Sequence, residues 1–234
     1  MTPLPTGSAK TALVREMFDR IAPRYDRMNR VLSLGLDQRW RRAALAAIRV
    51  GTGDRVVDLA CGTGDLAELA AARGARVVAV DGAREMLRGA RRRGVPAGFA
   101  RCDVAELPLR TGCASAVTCG FALRNFSEPE LALCEAARVL APAGRLALLE
   151  VGQPDGRLAR AGHRVWFERV VPWLGGWLSD RDAYRYLPRS VEYLPPEAEL
   201  RALLERAGFE RVTRAEFLFG AAQLYTAVRR GAAA

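Results

Sequence analysis

The residues best placed to do chemistry gather in Arg55 to Leu69, RVVDLACGTGDLAEL. A short apolar run, Val56-Val57 and Leu59-Ala60, breaks at the turn Gly62-Thr63-Gly64. It resumes at helical spacing with Leu66, Leu69 and Ala70. That pattern predicts a buried strand, a tight loop and a helix. Glycines in such a loop let backbone N–H groups approach a ligand closely, because there is no Cβ in the way. The spacing Gly62-x-Gly64-x-x-Ala67 also fits the dinucleotide fingerprint. Asp58 separates the two readings. A carboxylate at the strand's end is poorly placed against a pyrophosphate and well placed to pair with a cationic amine. S-adenosylmethionine, which carries an ammonium and a sulfonium and no phosphate, meets that requirement.

Other candidates lie at regular intervals downstream. Asp81 ends the next apolar run, where a carboxylate can accept both hydroxyls of a ribose or cap the following helix. Asp103 follows a third, weaker run and can reach an adenine amino group or act as another cap. Arg124 and Asn125 follow a fourth run. Arginine cannot serve as a base, but it can stabilise a developing oxyanion; the bland alternative is a surface ion pair. Upstream, Tyr25, Asp26 and Asn29 share one polar segment as candidates for proton removal and substrate contact, or as caps of local helices. Tyr184 and Tyr186 line a pocket or fill a lid core. The single histidine, His163, has no second histidine or cysteine near it and is expected to be structural or solvent-facing. No catalytic triad, P-loop or zinc spacing is present.

The elements that must position these residues alternate. Strands are predicted at Val56–Leu59, Arg76–Val80, Gly98–Arg101, Ala114–Cys119 and Arg145–Glu150. Helical patterns separate them, including one over Pro129–Leu140 ended by Pro142 and Gly144. Such alternation implies a parallel sheet with right-handed crossovers. A helix over Glu197–Ala207 and strands at Glu210–Phe217 and Gln223–Val228 complete the pattern. Before the first strand come helices only, one beginning at Leu13 and interrupted by Pro23, another over roughly Gln38–Ile48. They form a layer able to close over a crevice at the strand carboxyl ends. The expectation is one domain over residues 1–234. Residues 1–11 form a tail, and residues 153–196, which hold Trp166, Trp173 and Trp177, form an inserted lid or a buried helical hairpin.

Composition bounds the function classes. At 234 residues, 50% of them hydrophobic, the chain can bury a sizeable α/β core. No apolar run approaches a membrane span, and the N-terminus lacks a secretory h-region. Five scattered cysteines point to reduced thiols in the cytosol. Net charge is +10, and the first 50 residues hold ten basic and four acidic groups. Nucleic acid is disfavoured as a substrate, since no aromatic residue flanked by proline follows the fourth strand. Peripheral contact with an anionic membrane and a homodimer are both compatible with this composition. Lys10 is the sole lysine among 36 basic residues.

DLACGTGD (58–65) resembles motif I of class I methyltransferases. YDRMN (25–29) with Ser33 and Trp40, FALRN (121–125), RVLAPAGRLALLE (138–150) and SDRDAYRYL with Ser190 resemble the blocks of the ubiquinone/menaquinone C-methyltransferase (UbiE-type) family. The resemblance covers about residues 13–230. It implies a Rossmann-like class I methyltransferase fold, with a mostly parallel seven-stranded sheet. It implies cofactor contacts at Thr63, Asp81, Asp103 and Val104; Asp58, Ala60, Gly62, Gly64, Gly82, Met86 and Gly120 complete the candidate set. It also implies S-adenosylmethionine-dependent methylation of a ring carbon on a prenylated quinol, demethylmenaquinol to menaquinol. Another aromatic small molecule as acceptor, an NAD-dependent oxidoreductase and a non-catalytic cofactor-binding protein remain as rival readings. The sequence departs from the family's usual histidine at Asp37, serine at Gly120, glycine at Ala143 and acidic or polar pair at Val151-Gly152.

Overall fold

The computed structural model describes residues 6–152 and 190–231. Three helices lead: α1 (Gly7–Ile21), α2 (Tyr25–Leu32) and α3 (Leu36–Ala47). Pro23 lies in a 3₁₀ turn, Ala22–Arg24, between the first two. Proline fixes φ and brings no N–H, so the α-helical ladder cannot run through it. The tail expected over residues 1–11 is therefore too long. Residues 7–11 are helical, and Lys10 is buried there. The small polar residues that read as a tail dock because Lys10 finds buried acceptors, described below.

The alternating part follows: β1 (Arg55–Leu59), α4 (Asp65–Ala71), β2 (Arg76–Asp81), α5 (Arg84–Arg92), β3 (Gly98–Arg101), β4 (Ala114–Gly120), α6 (Pro129–Val139) and β5 (Leu140–Val151). Then come α7 (Glu197–Arg206), β6 (Phe209–Phe217) and β7 (Ala222–Arg229). The seven strands are ordered β3-β2-β1-β4-β5-β7-β6. All neighbours are parallel except β7, which is antiparallel to both β5 and β6. Strand order reverses between β1 and β4, and open α/β sheets bind ligands at such a switch point, outside the strand carboxyl ends.

Period-two alternation feeds two core layers. Leu146 and Leu148 of β5 pack on one face with Leu133 of α6 and Leu200 and Leu204 of α7. Ala147 and Leu149 pack on the other with Leu45 of α3 and Leu66, Ala67 and Ala70 of α4. A third cluster joins Met17 and Ile21 of α1 and Met28 of α2 to Met86 of α5. The N-terminal layer is thus held on the sheet's carboxyl end by apolar packing.

β5 begins at Leu140, five residues before the expected Arg145. Its register with β4 jumps from Leu140↔Ala114 to Arg145↔Ala116, and Ala143 takes a φ of 59° in the bulge. Pro142 and Gly144 mark this bulge rather than an end to pairing. Among the described residues, no helix is long and apolar enough to cross a membrane.

Candidate active site

β1 ends in a tight turn. Ala60 takes a φ of 48° and Gly62 a φ of 57°. The Gly62 N–H donates to Asp81 Oδ2 at 2.8 Å, and the Ala83 N–H donates to Asp81 Oδ1 at 2.7 Å. Asp81 therefore fastens the glycine loop to the start of α5. A carboxylate has about four acceptor sites, so two backbone bonds leave capacity for a ribose diol. Burial raises its pKa to about 6 against the pull of those two N–H groups. Of the two sequence readings of Asp81, the backbone bonds show the cap and leave room for the ribose.

Asp81 lines the wall of a cleft at the carboxyl ends of the strands. Ala60, Gly62, Gly82, Met86, Asp103, Val104, Gly120, Tyr25 and Asn125 all line it, as the sequence led one to expect. Phe121, which the sequence did not single out, lines it too with a φ of 61°. Two non-glycine residues in the left-handed region, Ala60 and Phe121, thus stand where β1 and β4 enter the cleft. Such backbone is costly and persists where surrounding structure enforces it.

α1 forms the opposite wall through Thr11, Val14, Arg15 and Phe18. Arg15 Nη2 pairs with Asp103 Oδ2 at 2.8 Å, while Asp103 Oδ1 accepts the Ala105 N–H at 3.0 Å. Asp103 is thus both a turn acceptor and an ion-pair partner, and an adenine amino group would share it with Arg15. Arg15 Nε also lies 2.8 Å from the point where a Gly82 Cβ would stand, so Gly82 leaves room for the arginine as well as the ligand.

Several expected contacts are displaced. Asp58 is 1% exposed and does not line the cleft. It stands opposite Thr118 in β4, whose hydroxyl donates to its Oδ1 at 2.7 Å. Burial raises its pKa to about 7, against Thr118, the Arg41 guanidinium and the Ala67 N–H. Its Oδ1 is thus committed to Thr118, while its Oδ2 has no hydrogen-bond partner. Thr63 is buried too, and its hydroxyl donates to Asp26 Oδ1. Asp26 Oδ2 meets Arg93 at 3.2 Å. With both oxygens engaged outside the cleft, Asp26 is a clamp between α2 and the glycine loop, not a proton acceptor for a substrate. Gly64 serves packing: a Cβ there would meet Val95 at 3.1 Å.

Tyr25 does face the cleft, but burial raises its phenol pKa, with Asn29 hydrogen-bonded to it. It therefore stays protonated at neutral pH. Asn29 supports Tyr25 and does not line the cleft. Arg124 is displaced most. It is 6% exposed, and its Nη1 pairs with Glu150 of β5. Nη1 also donates to Phe121 O at 2.7 Å, and Nε donates to Ser190 Oγ at 3.0 Å. Glu150, Phe121 O and Ser190 Oγ thus hold Nη1 and Nε, and Arg124 does not line the cleft. It holds the 3₁₀ turn Leu123–Asn125 and so places Asn125. Tyr184, Tyr186, His163 and the three lid tryptophans lie outside the described residues.

Sequence reasoning also missed a charge cluster beneath the loop. Asp65, at the start of α4, receives Arg30 at 3.1 Å and Arg93 at 2.9 Å; Asp37 receives Arg30 at 2.5 Å and Ser33 Oγ at 2.8 Å. Asp37 therefore has a buried ionic role where the resemblance leads one to expect histidine. Nothing in the local pattern announces pairs drawn from three helices.

Residues 6–229 match the ubiE/COQ5 methyltransferase family. The chain belongs to that family. Demethylmenaquinone methyltransferase of Thermus thermophilus is 46% identical over 221 residues, covering 91% of this chain and 100% of that protein. Its Deinococcus radiodurans counterpart is 40% identical over 228 residues, covering 94% of each. A SAM-dependent methyltransferase from Aquifex aeolicus shares the fold at a TM-score of 0.58 and 19% identity, over 80% of this chain and 88% of that one. The enzyme is a methyltransferase that uses S-adenosylmethionine, and the residues present fit that cofactor: an acidic strand end for the ribose, glycines that clear the cleft wall, and Met86 beneath the loop.

Proposed function

We propose that the enzyme methylates a ring carbon of a reduced, prenylated quinone, converting demethylmenaquinol to menaquinol. The observation that carries this reading is the aromatic lining. Phe18, Tyr25, Phe121 and Phe126 share the cleft with Asp81 and Asn125. A flat ring stacked among them would lie beside the cofactor rather than apart from it. The names of the full-length relatives point to the same acceptor.

The cofactor supplies an electrophilic methyl group. A phenolic ring carbon becomes a competent nucleophile as its hydroxyl loses a proton, and a free phenol does so near pH 10. Protonated Tyr25 and the Asn125 amide are donors that can stabilise the oxygen as charge develops. Arg124 acts behind them by holding the Asn125 turn. The aromatic walls fix the ring's plane, and aligning carbon with methyl supplies much of the rate. The prenyl chain of such an acceptor lies in the bilayer, so the enzyme would meet it at the membrane surface.

An anaerobic transfer assay on a panel of reduced quinones and soluble aromatics tests the reading. Turnover should favour prenylated 1,4-naphthoquinols lacking the ring methyl. Preference for a soluble phenol or polyketide would replace the quinol with that acceptor.

A further inference from the structure

Arg41, on α3, is 6% exposed and behaves unlike the more exposed arginines around it. Arg30 and Arg93 hydrogen-bond their carboxylates at 2.5–3.2 Å. Arg41 Nε stands 3.6 Å from Asp37 Oδ2 and from Asp65 Oδ2, too far for a hydrogen bond, and it has no hydrogen-bond partner. A guanidinium carries five N–H donors, and burying it without partners is costly. Its plane lies toward the Phe121 ring, with Cζ 5.2 Å from the centroid. Its Nη1 reaches within 2.8 Å of the point where a Gly120 Cβ would stand. Gly120 and Phe121 both line the cleft. The guanidinium does not itself line the cleft; it lies behind the wall at the one place where β4 carries no side chain. This is the glycine-loop end, away from Asp103. Its positive field also reaches Tyr25 and Asp58.

We propose that Arg41 binds the carboxylate of the cofactor's amino-acid portion through the gap left by Gly120. The inference rests on the cofactor assignment and adds a residue to it. A carboxylate is the planar anion that a guanidinium fork matches best. It is the only anionic group on S-adenosylmethionine, and it lies at the end of the molecule opposite the adenine. With Asp81 and Asp103 at the ribose and adenine end, the amino-acid end is directed toward Gly62, Gly120 and Arg41. Asp37 and Asp65, each 3.6 Å from its Nε, aim Arg41 without saturating it.

The test compares calorimetric binding of S-adenosylhomocysteine with that of its decarboxylated analogue, S-adenosyl-3-thiopropylamine. Arg41→Met should weaken S-adenosylhomocysteine by about 10- to 100-fold, the value of a charged hydrogen bond, and leave the analogue within about threefold. Arg41→Lys should fall between. Gly120→Ala places a Cβ against Nη1 and Leu66 Cδ1 while leaving every charged side chain of the cluster in the sequence. It should show the same selectivity and stands in if Arg41→Met does not fold. Equal losses for both ligands, or none for either, overturn the proposal. Failure of the wild-type protein to bind either ligand would instead overturn the cofactor assignment.

Discussion

Arg124 and Asp58 show how far a side chain's job depends on neighbours remote in sequence. Glu150 is 26 positions from Arg124 and one strand over, and removing one partner of a buried pair strands the other charge. Arg124→Met should therefore destabilise the fold by about 3–5 kcal/mol in denaturant titrations, and Arg124→Met with Glu150→Leu should recover most of that loss. A single variant with full stability and a collapsed kcat would return Arg124 to direct catalysis. Asp58 makes a pH prediction. Its folded pKa of about 7 lies above the value of about 3.9 in an unfolded chain. The native state thus binds the extra proton between those values, and stability falls as pH rises through that window. Above it the cost of burying the charge is fully present. Asp58→Asn, which keeps an acceptor for Thr118, should raise the melting temperature relative to wild type more at pH 8 than at pH 5. An equal difference at both pH values would contradict the raised pKa.

At the scale of elements, α1 is the part that matters most for access, since it walls the cleft and one buried lysine helps to seat it. Lys10 Nζ donates to Arg124 O at 2.9 Å and Phe126 O at 2.8 Å, and stands 3.6 Å from the Tyr193 ring centroid. Those carbonyls flank Asn125, so the contact that seats α1 also steadies a cleft-lining residue. Burial lowers the Lys10 pKa to about 8. As the only lysine, it reports α1 opening at a single site. Acylation by an amine-reactive ester, followed by mass spectrometry, should be slow at Lys10 and at least about tenfold slower with S-adenosylhomocysteine bound, following the opening equilibrium. The α-amino group serves as internal reference. Modification of Lys10 at the α-amino rate, unaffected by ligand, would show that α1 does not gate the cleft.

The strands were readable because a buried parallel sheet writes itself as short apolar runs, and the glycine turn with Asp81 placed the ribose end. Lys10 was hidden because a lysine in a small polar segment looks solvated until its acceptors, over a hundred residues away, are known. The bulge at Ala143 was hidden for a similar reason, since proline and glycine mark both bulges and ends. Family departures became legible only in three dimensions. Gly120 clears Arg41, and a Cβ at Gly152 would stand 2.2 Å from Gly220 O, so no polar side chain fits there.

Across the whole molecule, the sheet's switch point, the N-terminal layer and the charge cluster converge on one cleft. Arg30, Arg93 and Arg41 gather Asp26, Asp37 and Asp65 beneath the glycine loop. The loop is therefore rigid from below, while α1 closes it from above. Rigid placement of the cofactor beside an aromatic-lined acceptor space is the whole catalytic design required for transfer to an activated ring carbon. The direct measurement is single-turnover transfer from S-adenosylmethionine carrying a ¹³C-labelled methyl to reduced demethylmenaquinone under anaerobic conditions, with the product read by ¹³C NMR. The account predicts the label on a ring carbon, at the shift of an aryl methyl. A label at the shift of an aryl methyl ether, or no transfer by a protein that binds the cofactor, would contradict it.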